Sequence, residues 1–143
     1  MTVTPLSIDH VDQIVELQTQ GFSDGWSKQS LISGIEKGGL KGSLVFQDDK
    51  LIGFVTYACN PDFCELMDIL THQDFRNQGV ATLLLGDLFE KAKATSPKIF
   101  LEVRESNIPA ISLYLKHGFI KTSTRKKYYS DGENAIVMEK ELL

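Results

Sequence analysis

Apolar positions along the chain follow two spacings, and the places where one gives way to the other mark out its elements. Residues 2–6 read as a short strand. Ser7 or Asp9 is placed to cap a helix whose buried face carries Val11, Ile14 and Val15, with Gly21 as its stop. Ser27 caps a second helix bearing Leu31, Ile32 and Ile35, which Gly38-Gly39 ends. Residues 44–47 and 51–58 predict an antiparallel hairpin across Asp48-Asp49-Lys50, and Asn60-Pro61 turns the chain again.

The next stretch, from Leu66 to Leu88, organises the rest. It predicts a buried strand over 67–70, a polar loop, Gly79, and an apolar helix from Val80 that carries Leu83, Leu84, Leu85 and Leu88. Beyond it, Pro97 punctuates and residues 98–103 form a strand. A strand, helix and strand of this length make a right-handed crossover, so the two strands run parallel. Asn107 caps a further helix with Pro109 in its first turn and Ile111, Tyr114 and Leu115 on one face, closed by His117-Gly118. Residues 119–129 and 135–141 predict a final hairpin turning at Ser130-Asp131-Gly132.

At 143 residues, 42% hydrophobic and 24% charged, the chain is expected to be one globular domain, residues 1–143. The net charge of −4 argues against nucleic acid or an anionic membrane as partner. Its distribution is uneven. Residues 1–75 carry four Lys/Arg against eleven Asp/Glu, and residues 76–143 carry eleven against eight. That asymmetry suits a polyanionic ligand in the second half and a cationic substrate toward the first, or is plain solvated surface. The start, MTVTPLSIDH, has neither a basic segment nor an apolar run, and no stretch nears the length that spans a bilayer, so a cytoplasmic location is expected. Cys59 and Cys64, without a further Cys/His cluster, do not complete a zinc site, so no metal is expected. In a reducing compartment they are expected to remain thiols.

Three features carry candidate chemistry. A strand leading through a glycine-bearing turn into a helix presents unpaired N–H groups and the positive end of a helix dipole, where a phosphate is bound by main chain alone. RNQGVA has one glycine, which is also compatible with an ordinary turn, and it meets neither the three-glycine dinucleotide motif nor the GxxxxGK[ST] loop. Glu102 falls near the C-terminal end of a parallel strand, beside the crevice where open α/β sheets bind ligands, or else faces solvent as a charge on the far side. Tyr114 lies two helical turns past Asn107 and is either a core aromatic or a proton donor to that crevice.

A resemblance narrows these alternatives. Arg76, Asn77, Gln78, Gly79, Val80 and Ala81 resemble the R/Q-x-x-G-x-G/A pyrophosphate loop of the GCN5-related N-acetyltransferases. The segment LEVRESNIPAISLYLKHGFIKTSTRKKYYSDGENAIVMEKEL resembles the C-terminal half of the RimI type within that family, which acetylates the N-terminal alanine of a small-subunit ribosomal protein. The match runs through Glu102, Asn107, Tyr114, Gly118-Phe119, Arg125, Tyr128-Tyr129 and Met138, and Gly25-Trp26-Ser27 resembles the family's PWS. Together these span essentially the whole chain.

The resemblance implies an α+β acyl-CoA N-acyltransferase fold: a mixed, mostly antiparallel sheet with helices on both faces and a splayed central parallel pair. It implies acetyl-CoA as co-substrate, held by the main chain of Ile69, Leu70 and Thr71, by residues Arg76 to Thr82 and by Asn107. Glu102 is then the general base, Tyr114 the general acid, and Trp26, Tyr128 and Tyr129 line the peptide groove. The implied acceptor is a protein N-terminus, ribosomal as first choice. A small-molecule amine is the alternative within the family, and a non-catalytic acetyl-CoA-binding regulatory domain is the alternative outside catalysis. Two departures stand out. Gln73 occupies a position where the family often has proline, and Gly25 replaces the proline before Trp26 in a segment implicated in substrate choice.

Overall fold

The computed structural model describes residues 1–20 and 25–142; Gly21, the predicted stop of the first helix, lies outside them. The described residues form seven strands and four α-helices. In chain order these are β1 (Thr2–Pro5), α1 (Val11–Gln18), α2 (Lys28–Glu36), β2 (Lys41–Gln47), β3 (Lys50–Cys59), β4 (Cys64–Thr71), α3 (Val80–Ala92), β5 (Lys98–Arg104), α4 (Ile108–Lys116), β6 (Ile120–Arg125) and β7 (Ala135–Glu141). The sheet order is β1-β2-β3-β4-β5-β7-β6. β4 and β5 are parallel, as the crossover predicts, and β1/β2, β2/β3, β5/β7 and β6/β7 are antiparallel. The chain divides into two compact units, residues 1–58 with 66–91 and residues 59–65 with 92–143.

In the first unit, alternation along β3 explains how one strand serves two helical layers. Phe54, paired with Leu44 across the β2/β3 register, belongs to an apolar cluster with Val11, Ile14 and Leu17 of α1 and Leu31 of α2. Its neighbour Gly53 faces the opposite way, where a Cβ would stand 2.6 Å from Val80 and 3.3 Å from Leu84 of α3. The glycine therefore lets α3 approach the sheet. Ser43 points to the same side and donates a hydrogen bond to the Asp87 carboxylate of α3. Ser27 caps α2 as predicted, its Oγ accepting from Ser30 N at 3.0 Å. Ser7 does not cap α1; it accepts from Asp9 N at 3.2 Å and starts a short 3-10 turn, Ile8–His10, that leads into α1. The hairpin turns on Asp48 and Asp49, both at positive φ.

The second unit holds β5, β6, β7, α4 and the start of β4, and here two expectations are corrected. The thiols of Cys59 and Cys64 are joined in a disulfide, with Cα atoms 4.0 Å apart. The intervening turn brings them together. Asn60 Oδ1 accepts from Asp62 N at 2.8 Å and Phe63 N at 3.0 Å, while Asn60 N donates to Phe63 O at 3.0 Å, so five residues of separation close into adjacent positions.

The last hairpin is also shorter than its apolar pattern. β6 stops at Arg125, and residues 126–134 form a loop with its own bonding, in which Lys127 takes a positive φ and its N–H donates to Asn134 Oδ1 at 3.0 Å. Those local side-chain bonds to the backbone displace strand pairing.

The strand predicted as buried over 67–70 is partly open. Cys64 and Leu66 are buried, whereas Met67 is 40% exposed and Asp68 to Thr71 are half-buried. Leu83 of α3 is likewise exposed, while Leu84, Leu85 and Leu88 are fully buried.

Candidate active site

Each unit carries part of the predicted site. In the first, β4 ends at Thr71 and the chain makes a 3-10 turn, Gln73–Phe75, in which His72 Nδ1 accepts from Asp74 N at 3.1 Å. Arg76, Asn77, Gln78 and Gly79 follow as an exposed loop, with Asn77 at φ 63° and Gly79 at φ 84°. These left-handed residues turn the chain into α3, whose first helical bond runs from Leu83 N to Gly79 O at 3.0 Å. The N–H groups of Val80 and Ala81 precede that bond and sit at the positive end of the dipole, with Thr82 in the same first turn.

A Cβ at Gly79 would meet nothing within 4 Å. The glycine is therefore required by its backbone angle, and the space over it is open to a ligand. Ile69, Leu70 and Thr71 lead into this loop on the half-buried end of β4.

Trp26 is also in this unit and is held firmly. Gln18 brackets its main chain, donating from Nε2 to Trp26 O and accepting from Trp26 N at Oε1, both at 2.8 Å, while the indole Nε1 donates to Thr56 Oγ1 at 3.1 Å. The ring packs against the α1/α2 cluster. Gly25 matters for this bracket, since a Cβ there would stand 2.8 Å from Gln18 Cδ and Oε1.

In the second unit Glu102 lies on the half-buried face of β5, opposite buried Leu101 and Val103. Its side chain is only 14% exposed. Tyr128 donates its hydroxyl to Oε1 at 3.3 Å. Arg125 Nε stands 2.9 Å from Oε2, off the line of a hydrogen bond, so that buried oxygen has a cation beside it and no hydrogen-bond donor among the described residues. Glu102's charge is the main cause that holds the Tyr128 hydroxyl above its usual acidity range, with burial adding.

Tyr114 is buried on α4, with its ring edge-on to Phe119 at 5.6 Å between centroids. Asn107 spends its side chain on capping α4, Oδ1 accepting from Ala110 N at 3.2 Å. Tyr129 lies under the Arg104 guanidinium at 4.0 Å and edge-on to Tyr128.

The structure thus brings Glu102 and Tyr128 together and anchors Trp26 against the α1/α2 cluster. Sequence reasoning gave no role to two residues that stand at Glu102. Arg125 was visible within the RxxYY motif, but its role as the cation beside Glu102 depends on β6/β7 register. Glu65 gave no motif signal at all. It lies half-buried on β4, opposite Phe100 of β5, and feels both Glu102 and Arg125.

Comparison with known proteins decides the family. The family model described as "Acetyltransferase (GNAT) family" matches residues 11–119. The chain belongs to the GNAT acetyltransferase family. Among GNAT relatives, an N-alpha-acetyltransferase of Saccharolobus solfataricus is 27% identical, the match covering 99% of this chain and 93% of that protein. The [ribosomal protein bS18]-alanine N-acetyltransferase of Escherichia coli is 29% identical, covering 96% and 95%. The crystal structure of the ribosomal-protein-S18-alanine N-acetyltransferase from Escherichia coli superposes with a TM-score of 0.88 at 27% identity, over 99% of this chain and 93% of that one. The seven-stranded mixed sheet with four helices is the GNAT fold, and the chain is an N-acetyltransferase.

Proposed function

We propose that this enzyme transfers acetyl from acetyl-CoA to the α-amino group of a protein N-terminus, with an N-terminal alanine of a small-subunit ribosomal protein as its first acceptor. The observation that carries this reading is the half-buried Glu102, poised between Tyr128 and Arg125 near the end of β5, in a chain whose relatives along nearly its full length are named N-alpha-acetyltransferase or [ribosomal protein bS18]-alanine N-acetyltransferase. A cytoplasmic location goes with such an acceptor.

The roles divide between the units. The loop from Arg76 to Thr82 supplies main-chain N–H groups and the helix dipole for the pyrophosphate, and the half-buried end of β4, Ile69 to Thr71, offers main chain to the pantetheine amides. Asn107 adds a contact to the same co-substrate. An α-ammonium titrates near ~8, so most acceptor arrives protonated at neutral pH and cannot attack the thioester. Glu102 accepts that proton, directly or through one water, and the freed amine attacks the thioester carbonyl. As the C–S bond breaks, Tyr114 donates its hydroxyl proton to the departing thiolate. A thiol near ~8.5 and a phenol near ~10 are matched closely enough for that transfer. Trp26, Tyr128 and Tyr129 line the acceptor's path.

The deciding assay offers acetyl-CoA with three acceptors: a peptide with a free N-terminal alanine, its N-blocked lysine-containing version, and small amines. Acetylation of the free peptide alone is the expected result. Transfer only to small amines would replace the protein acceptor. Binding of acetyl-CoA without transfer to any amine would leave a regulatory domain.

A further inference from the structure

The face of the sheet that presents Glu102 holds a second carboxylate. Glu65 stands opposite Phe100 in the parallel β4/β5 register, and strand alternation places Glu102, two residues on, on the same face. Cys64, Leu66, Ile99 and Leu101 are buried on the other face, which fixes this orientation. Arg125 faces both acids, beside Glu102 at 2.9 Å and close enough to act on Glu65. Burial pushes the Glu65 carboxyl above its usual range, Glu102 pushes it further, and Arg125 opposes them. Tyr128, held protonated above its ordinary range, contributes no charge. Among the described residues, these two acids share one guanidinium, so the pair is one cation short.

We propose that Glu65 is a specificity-determining residue that holds the acceptor amine as its ammonium beside Glu102. The ammonium supplies the missing positive charge and relieves the repulsion between the two carboxylates. No proton moves at this stage; deprotonation follows at Glu102. An N-blocked terminus or a hydroxyl in the same place leaves the pair uncompensated, so the residue selects unblocked, basic termini. The inference rests on the α-amine reading above and adds a residue to it.

Equilibrium binding separates the two. The free N-terminal alanine peptide is titrated calorimetrically into enzyme saturated with coenzyme A, which binds without turnover. Glu65→Gln should raise the peptide dissociation constant about tenfold and flatten its dependence on salt, because a screened charge contact has been removed. Glu65→Asp, which keeps the charge, should recover most of the affinity. An unchanged dissociation constant in Glu65→Gln, or equal wild-type affinity for the N-blocked peptide, overturns the assignment. Failure of the α-amine reading shows separately, as wild-type enzyme that acetylates no N-terminus.

Discussion

Glu102 and Tyr114 ask different things of a substitution. Glu102→Gln keeps the shape and an acceptor for Tyr128 but removes both basicity and the charge beside Arg125. Turnover should fall roughly 10²- to 10⁴-fold, the usual worth of a positioned base, while acetyl-CoA affinity moves little. Steady-state kinetics with a separate coenzyme A titration check this, and wild-type turnover at every pH would remove the role. Tyr114→Phe deletes one oxygen from a side chain whose ring packs on Phe119. Thermal stability and acetyl-CoA affinity should hardly change, and turnover should fall at least about tenfold, or about 1.4 kcal/mol of barrier. Unchanged turnover would make Tyr114 a core aromatic and leave the thiolate to solvent.

At the scale of elements, the turn into α3 and the end of β4 act as one device. β4 leaves its last residues half-buried, and the loop after it uses two left-handed residues to aim the start of α3. Gly79→Val forces a β-branched side chain onto φ 84° and fills the open space above the helix start. The backbone strain alone costs about 1 kcal/mol or more of stability. Loss of close approach should raise the dissociation constant for acetyl-CoA by about tenfold beyond that, since about 1.4 kcal/mol is tenfold. Calorimetric titration of the folded variant measures it, with a melting curve to separate the strain. A folded variant with wild-type affinity would show that the pyrophosphate does not approach there.

For the molecule as a whole, the Cys59–Cys64 crosslink closes a short loop at the point where the chain enters β4. In the chain-entropy account a loop of this size is worth about 2 kcal/mol, through the freedom it removes from the unfolded chain. Reduction should lower the free energy of unfolding by that amount, and the urea midpoint with it, while the native sheet remains; urea titrations with and without dithiothreitol test it. An unmoved midpoint would mean that the bond adds nothing to the turn already held by Asn60.

Much of the architecture was legible without coordinates because it rests on local physics. Ser27 and Asn107 cap their helices as their side chains and positions predict, Gly118 closes α4, and the crossover imposes parallel β4 and β5. The turn from β4 into α3 was legible for the same reason, since a glycine that needs positive φ is a property of its own backbone. Glu102 could be placed at a strand end, but its face and its partners could not.

What only the tertiary structure decided depends on register between elements distant in sequence. The meeting of Glu102 with Arg125 and Tyr128, the placement of Glu65 on the same face, and the anchoring of Trp26 by Gln18 and Thr56 each join residues that no single element relates. The loop at 126–134 and the disulfide went unread for a local reason: Asn134 and Asn60 bond through their side chains to nearby main chain and hold turns that the apolar pattern does not reveal. Periodicity and capping are written residue by residue along the chain, whereas the electrostatic neighbours of a carboxylate exist only after the strands have paired.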